Sequence, residues 1–270
     1  MRLSRLFPIG VCVTLLGPGC AAVSRGVDRA ETGAANALLP IEQENQLGTK
    51  LAVEIESQVK LSSDASVIAF VERVGRKVIA SSDDTNGHTF VFKVIDDPKT
   101  VNAFAIPGGN VYVYTGLLKL ARNEAELAGV MGHEIAHVTQ RHIAKRMVKT
   151  YGLQAMAELA LGRNPGVLQQ VATQIVGTGI LLKNSRDDER AADQHGVVAM
   201  SKADYDPRAM VAFFSSLKAS EGNSPAVLAY LSDHPATGER ISNLESQISR
   251  EHLAGATLDT PEFEAVKRAF

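Results

Sequence analysis

The sequence predicts an α+β domain in which helices dominate, and three observations carry that expectation. Apolar residues recur at helical spacing over about 41–59 and 64–80, and through almost all of the chain after Leu117. Between these regions lie three short runs rich in β-branched and aromatic residues, near 89–95, 101–106 and 110–115. A chain of 270 residues, even after loss of an N-terminal leader, can bury one substantial core.

At the N-terminus, Arg2 and Arg5 precede an apolar stretch from Leu6 to Leu16, followed by Gly17, Pro18, Gly19 and Cys20. A charged start before an apolar segment too short to span a bilayer is the layout of a secretory signal, expected over 1–19. Cys20 stands where a bacterial lipoprotein is cleaved and lipidated, although Gly17 and Pro18 replace the usual aliphatic and small residues. Cys12 would leave with the signal, so Cys20 would be the only cysteine of the mature chain and could form no internal disulfide. Lipidation of Cys20 is the expectation. Ala21 after it points, by analogy with enterobacterial sorting, to the outer membrane. A soluble periplasmic chain and an uncleaved anchor are the alternatives. Residues 20–39 are small and polar and read as a tether.

One domain is then expected over 40–252, with 253–270 as a C-terminal helix or tail. The formal net charge of −2 comes without a basic stripe, so nothing points to nucleic acid and none is expected as a partner. No repeat of tetratricopeptide period is present, so the expectation is a minimal domain. Asn102 to Thr115 reads as two extended runs joined by the turn-rich Pro107-Gly108-Gly109-Asn110, and Val111 to Thr115 is strand-like. Asn123 supplies a helix start with acids in the first turn, and Leu127, Val130 and Met131 give that helix a buried face. Lys145, Arg146 and Lys149 suit its other end.

That helix carries His133-Glu134-Ile135-Ala136-His137. Imidazoles at i and i+4 project from nearly the same face and form half of a tetrahedral metal site. Glu134 lies about 100° round the helix, where it can act as general base on a water held at an open position. A solvated helix can carry the same pentapeptide with no metal, so further ligands decide the matter. The run Ser185 to His195 offers them: Glu189 and Asp193 are again i and i+4. One acid can bind the metal while the other accepts the distal N–H of a ligand histidine. Asp187 and Asp188 compete on composition alone, and a charged solvated face is the plain reading of the run. His234 precedes a helix that Thr237 can cap, with Arg240 at its third position.

His133-Glu-x-x-His137 followed by Glu189-x-x-x-Asp193 resembles the Glu-zincin pattern. More narrowly, it resembles the family containing the CAAX prenyl protease, HtpX and the periplasmic BepA/LoiP-type proteases. Asn102-Ala-Phe-Ala-Ile-Pro-Gly-Gly109, Asn123-Glu-Ala-Glu-Leu-Ala and Asp233-His-Pro-Ala-Thr-Gly-Glu-Arg240 match it in order, over roughly 40 to 250. The resemblance implies a small mixed or antiparallel sheet packed against the metal-binding helix. It implies one zinc ion per chain held by His133, His137 and Glu189, with Asp193 behind a ligand and Glu134 as base. It implies that the edge strand Asn102, Ala103, Phe104 and Ala105 pairs with extended substrate. His234 and Arg240 would face the metal and stabilise an oxyanion, or His234 would itself bind zinc and keep the site latent. The implied function is a peptidase acting on unfolded or misassembled envelope proteins, in contact with outer-membrane assembly machinery. A chaperone-like assembly factor with a latent site is the alternative.

The remaining histidines are expected to be solvated or structural. On a continuous helix His142 faces about half a turn away from His133, His195 falls off the ligand face, and His88 and His252 sit in polar surroundings. Residues 164–182 carry one charge-free stripe, Val167, Leu168, Val171, Ala172, Ile175, Val176 and Ile180, expected to pack in the core or form a lid.

Overall fold

The computed structural model describes residues 39–82, 85, 87–179, 183–221 and 224–270. The signal at 1–19, Cys20, the tether up to Leu38 and Ile180 lie outside the described residues. Helices α1 (Ile41–Glu56) and α2 (Ala65–Ala80) lead into strands β1 (Val91–Ile95), β2 (Ala103–Ala105) and β3 (Asn110–Tyr114). Then come α3 (Thr115–Leu120), α4 (Glu124–Thr139), α5 (His142–Tyr151), α6 (Leu153–Ala160) and α7 (Pro165–Thr178). The chain closes with α8 (Arg186–Lys202), α9 (Arg208–Ala219), α10 (Leu228–Asp233), α11 (Gly238–Arg250) and α12 (Pro261–Lys267). The fold is the mainly helical α+β arrangement expected.

The sheet has the order β1-β3-β2 and is mixed. β2 and β3 form the anticipated hairpin, with Ala103 opposite Val113 and a 3-10 turn at Pro107–Gly109. Gly108 and Gly109 have φ of 85° and 105°, a region that a Cβ resists, so this tight connection needs glycine. β1 adds in parallel on the other side of β3, Val91 opposite Asn110. β2 is thereby left at one edge of the sheet, and it packs on α4.

α4 is the axis of the molecule, with every residue from Glu124 to Thr139 buried. α2, α8, α9 and β2 all pack on it. Its start is set as expected: the Asn123 side chain accepts the Glu126 N–H at 2.9 Å. Glu124, fully buried, accepts two 2.9 Å bonds from Arg73 on α2 and a 2.6 Å bond from the Tyr205 hydroxyl. Thr260 donates to the same carboxylate, which brings in the C-terminal segment. The stretch expected as a C-terminal helix or tail packs on this core: Phe263 is fully buried, its ring centroid 5.7 Å from that of Phe70.

The end of α4 differs from the expectation. The helix stops at Thr139 instead of running on to Lys149, because Arg141 takes a left-handed φ of 57° and α5 starts afresh at His142. Such a backbone costs about 1–2 kcal/mol for a residue with a side chain. The buried Arg141 guanidinium offsets it by donating to Glu44 on α1 at 2.7 Å and to the carbonyl of Leu39. The apolar stripe of α7 lies against α1, with Leu168, Val171, Ala172 and Ile175 buried, whereas Val167 at its edge is 39 % exposed. Beyond α7, Gly179 comes so close to Asp233 that a Cβ there would lie 2.3 Å from the carboxylate. The insert therefore forms one wall beside the His234 loop.

Candidate metal centre

α4 and α8 meet backbone to backbone. A Cβ on Gly196 would lie 2.8 Å from the backbone nitrogen of His133, and one on Gly132 would lie 2.9 Å from the carbonyl oxygen of Gly196. Asp193 and Glu189 precede Gly196 by one and two turns, so they share its face and point at α4. The Ser185–Asp188 capping box starts α8 and fixes where those turns fall.

The result is a buried cluster of four donors, His133, His137, Glu189 and His234. His133 Nε2 lies 3.0 Å from His137 Nε2 and 3.1 Å from His234 Nδ1. Glu189 Oε1 lies 3.2 Å from His137 Nε2 and 3.0 Å from His234 Nδ1. A tetrahedral zinc site with bonds of about 2.0 Å has edges of about 3.3 Å. The three nitrogens and one carboxylate oxygen therefore fit the shape and donor chemistry of such an ion. All three residues expected as ligands are brought together, and His234 stands at the fourth corner.

Each ligand is backed by a partner. Asp193 Oδ1 lies 2.9 Å from His133 Nδ1, and Arg240 donates to the Asp193 carboxylate through Nε and Nη2, both at 2.7 Å. Arg240 Nη1 donates to the Pro235 carbonyl at 2.9 Å and lies 2.7 Å from Glu189 Oε2. Thr237 caps α11 and accepts the Arg240 N–H, which places this guanidinium. Of the competing acids, Asp187 is 82 % exposed and pairs with Arg190, and Asp188 is spent in the capping box.

His142 corrects the sequence reading. It does not face away: it is buried, and its Nδ1 lies 2.9 Å from His137 Nδ1. The expectation assumed one continuous helix, and the left-handed turn at Arg141 swings His142 back over the ligand. No glycine or proline in Thr139-Gln140-Arg141 announces that turn, so local sequence holds no signal for it. With His137 Nε2 committed to a metal, its Nδ1–H donates to His142 Nδ1. His142 then carries its proton on Nε2, which lies 3.7 Å from Asp188. His88 is buried but structural, 3.1 Å from Glu44. His195 and His252 lie on the surface.

Burial pushes the Glu134 carboxyl up from its ordinary range, against the pull of His234 and His133. Its Oε1 lies 3.4 Å from His234 Nε2. Burial also drives His137 down to about 3, the neutral form a metal needs. At His133 burial acts the same way but is outweighed by the Glu189 and Asp193 carboxylates, which hold it up at about 9.

Asn102, Ala103, Phe104 and Ala105 are buried, and Phe104 stacks on Tyr112 with centroids 4.9 Å apart. The Phe104 side chain thus belongs to the core. Asn102 donates to Asp233 at 3.3 Å, tying the strand to the residue before His234. A cavity of about 480 Å³ opens there, lined by Asn102, Tyr114, Ile175, Gly179 and Asp233. A second, of about 270 Å³, reaches Glu189 and Arg240 from the other side.

Comparison with known proteins agrees with this geometry. Residues 67–248 match the model of Peptidase family M48. The chain is 34 % identical over 190 residues to the mitochondrial metalloendopeptidase OMA1 of Schizosaccharomyces pombe, a match covering 70 % of this chain and 56 % of that one. It is 28 % identical over 247 residues to the putative beta-barrel assembly-enhancing protease of Vibrio cholerae, covering 86 % and 50 %. To the beta-barrel assembly-enhancing protease of Escherichia coli K12 it is 26 % identical over 225 residues, covering 80 % and 46 %. The chain spans about half the length of these curated relatives. The matched region contains both histidines of α4, Glu189, Asp193 and His234, and the chain belongs to peptidase family M48.

Proposed function

We propose that this chain is a zinc endopeptidase of the bacterial cell envelope, seen here in a self-inhibited arrangement. The tetrahedron of His133, His137, Glu189 and His234 carries the reading, because four buried donors at metal-ligand spacing match the donor set of such an ion. His133, His137 and Glu189 would hold one zinc per chain, and Asp193 and His142 would orient the two imidazoles. Zinc, when bound, supplies Lewis acidity that polarises a peptide carbonyl and makes water acidic near neutral pH. Glu134 takes a proton from the attacking water as the new C–O bond forms. It returns that proton to the amine nitrogen as the C–N bond breaks.

Substrate would lie extended along β2, its backbone pairing with the sheet edge near Asn102 to Ala105. Backbone pairing accepts many sequences, which suits misfolded or misassembled proteins. The names of the relatives, beta-barrel assembly-enhancing protease among them, support outer-membrane assembly as the setting. Lipid on Cys20 would hold the chain at the periplasmic face of the outer membrane. Among the described residues no helix is long and apolar enough to cross a membrane.

A second reading is favoured by one observation. His234 Nδ1 stands at the corner where a water must sit, 3.1 Å from His133 and 3.0 Å from Glu189. With His234 held there the chain acts as a chaperone-like assembly factor whose centre stays latent. Casein and a misassembled outer-membrane protein, each incubated with wild type, Glu134→Gln and His234→Ala, separate the two readings. Cleavage lost in Glu134→Gln supports the peptidase, and equal cleavage by both overturns the mechanism. Cleavage by His234→Ala alone marks latency. Metal analysis with intact mass reports zinc stoichiometry and any lipid on Cys20 from one sample.

A further inference from the structure

The cavity of about 480 Å³ beside the start of β2 takes no part in the mechanism above. Its lining is acidic. Asp96, Asp97 and Asp233 stand against a single cation, Lys60, which pairs with Asp96. The other two carboxylates have only neutral hydrogen-bond donors among the described residues. Asp97 accepts the Lys99 N–H at 2.9 Å and the Thr100 hydroxyl at 2.7 Å. Asp233, 3 % exposed, accepts from Asn102 at 3.3 Å, and Gly179 lacks the side chain that would cover it. Tyr114 lines the same cavity with 7 % of its surface exposed, and among the described residues its hydroxyl makes no hydrogen bond. A buried phenol beside carboxylates with no cation opposite them is destabilising, so its retention calls for a state in which a partner arrives.

The missing partner has a definite chemistry. Two carboxylates and a phenol oxygen are acceptors for an ammonium or guanidinium group, and hydrogen bonds assisted by charge are the strong ones. Ile175 and Val176 of α7 give the cavity an apolar wall, which suits the methylene stem below such a head. Position ties the cavity to the reaction. Asp233 lines it, His234 holds the metal corner, and Pro235 lines the second cavity on the far side. A substrate whose scissile bond reaches that corner therefore has chain on both sides of it. The two sides differ in charge, since Lys183, Arg186 and Arg190 line the second cavity.

We propose that the acidic cavity is a specificity subsite that takes a lysine or arginine side chain of the substrate, its head held by Asp233, Asp97 and the Tyr114 hydroxyl. This rests on the peptidase reading.

The test uses the full chain and fluorogenic peptides identical but for one residue, which is lysine, arginine, norleucine or glutamate and is walked across the scissile bond. Where wild type stays latent, the series is read in His234→Ala. At one position kcat/KM for lysine and arginine is expected to exceed that for norleucine about 10-fold or more, with glutamate lowest. Asp97→Asn, which keeps an acceptor for the Lys99 N–H, is expected to cut the lysine-to-norleucine ratio about 3–10-fold. A ratio near one at every position overturns the proposal, as does a ratio that Asp97→Asn leaves unchanged because both peptides lose equally, which marks a structural role. Fluorescence anisotropy of the same peptides on Glu134→Gln reads binding without cleavage. If neither wild type nor His234→Ala cleaves but lysine still binds over norleucine, the peptidase reading falls and the cation site stands. Equal binding without cleavage overturns both.

Discussion

Gly132 on α4 and Gly196 on α8 touch backbone to backbone, and that contact sets the distance between the two halves of the metal centre. The histidines follow from one helix and the acids from the other, so any side chain at the crossing pushes ligand from ligand. Gly196→Ala would place a methyl 2.8 Å from the backbone nitrogen of His133, which something must yield to accommodate. We expect a loss of about 1–3 kcal/mol in unfolding free energy and weaker zinc binding. Ala at the solvent-open Gly166, with nothing within 4 Å of its Cβ, is the control. Equal stability and zinc affinity for the two variants would refute the crossing argument.

His142 holds the distal nitrogen of His137 at 2.9 Å. Replacing it with alanine is expected to cut zinc affinity about 10–100-fold, read by competition against a chromogenic chelator, with the far-UV circular dichroism unchanged. Affinity equal to wild type would remove His142 from the centre.

His234 blocks the fourth corner, so His234→Ala is expected to raise casein hydrolysis while zinc stays bound through three ligands. Activity no higher than wild type, at equal zinc content, would show that the histidine is not a plug.

Glu124 joins α4 to α2, to Tyr205 and to Thr260, and its effect depends on pH. Burial pushes its carboxyl up, but Arg73, Thr260 and Tyr205 together outweigh this and hold it below the ordinary value. A pKa depressed by folding gives stability present above the unfolded value of about 4.3 and lost as pH falls through the folded value. Glu124→Gln is therefore expected to cost about 2 kcal/mol at pH 7, below the range for fully buried pairs because Arg73 is 37 % exposed. Thermal melts from neutral to acid pH check the sign: the gap between wild type and variant narrows below about pH 4. A gap independent of pH would refute the charge argument.

Much of the molecule was legible as local chemistry. The period of its apolar residues marks the helices, and the Asn123 and Thr237 caps mark where two of them start. The Pro107–Asn110 turn marks the hairpin, and the spacing of His133, His137, Glu189 and Asp193 marks two faces that can meet a metal. These features depend on residues within one or two turns of each other, where backbone geometry is nearly invariant.

The rest was settled by contacts between distant segments. Arg141 bends left-handed because Glu44 and Leu39 wait for its guanidinium, and only that bend brings His142 onto His137. The tail folds into the core because Thr260 and Phe263 find Glu124 and Phe70. Which side chain takes the fourth corner depends on how the α10–α11 turn is pinned by Arg240 on Asp193, across 47 residues of chain. Local propensity cannot weigh a buried ion pair whose halves lie so far apart, so the ligand faces can be read residue by residue while their closure cannot.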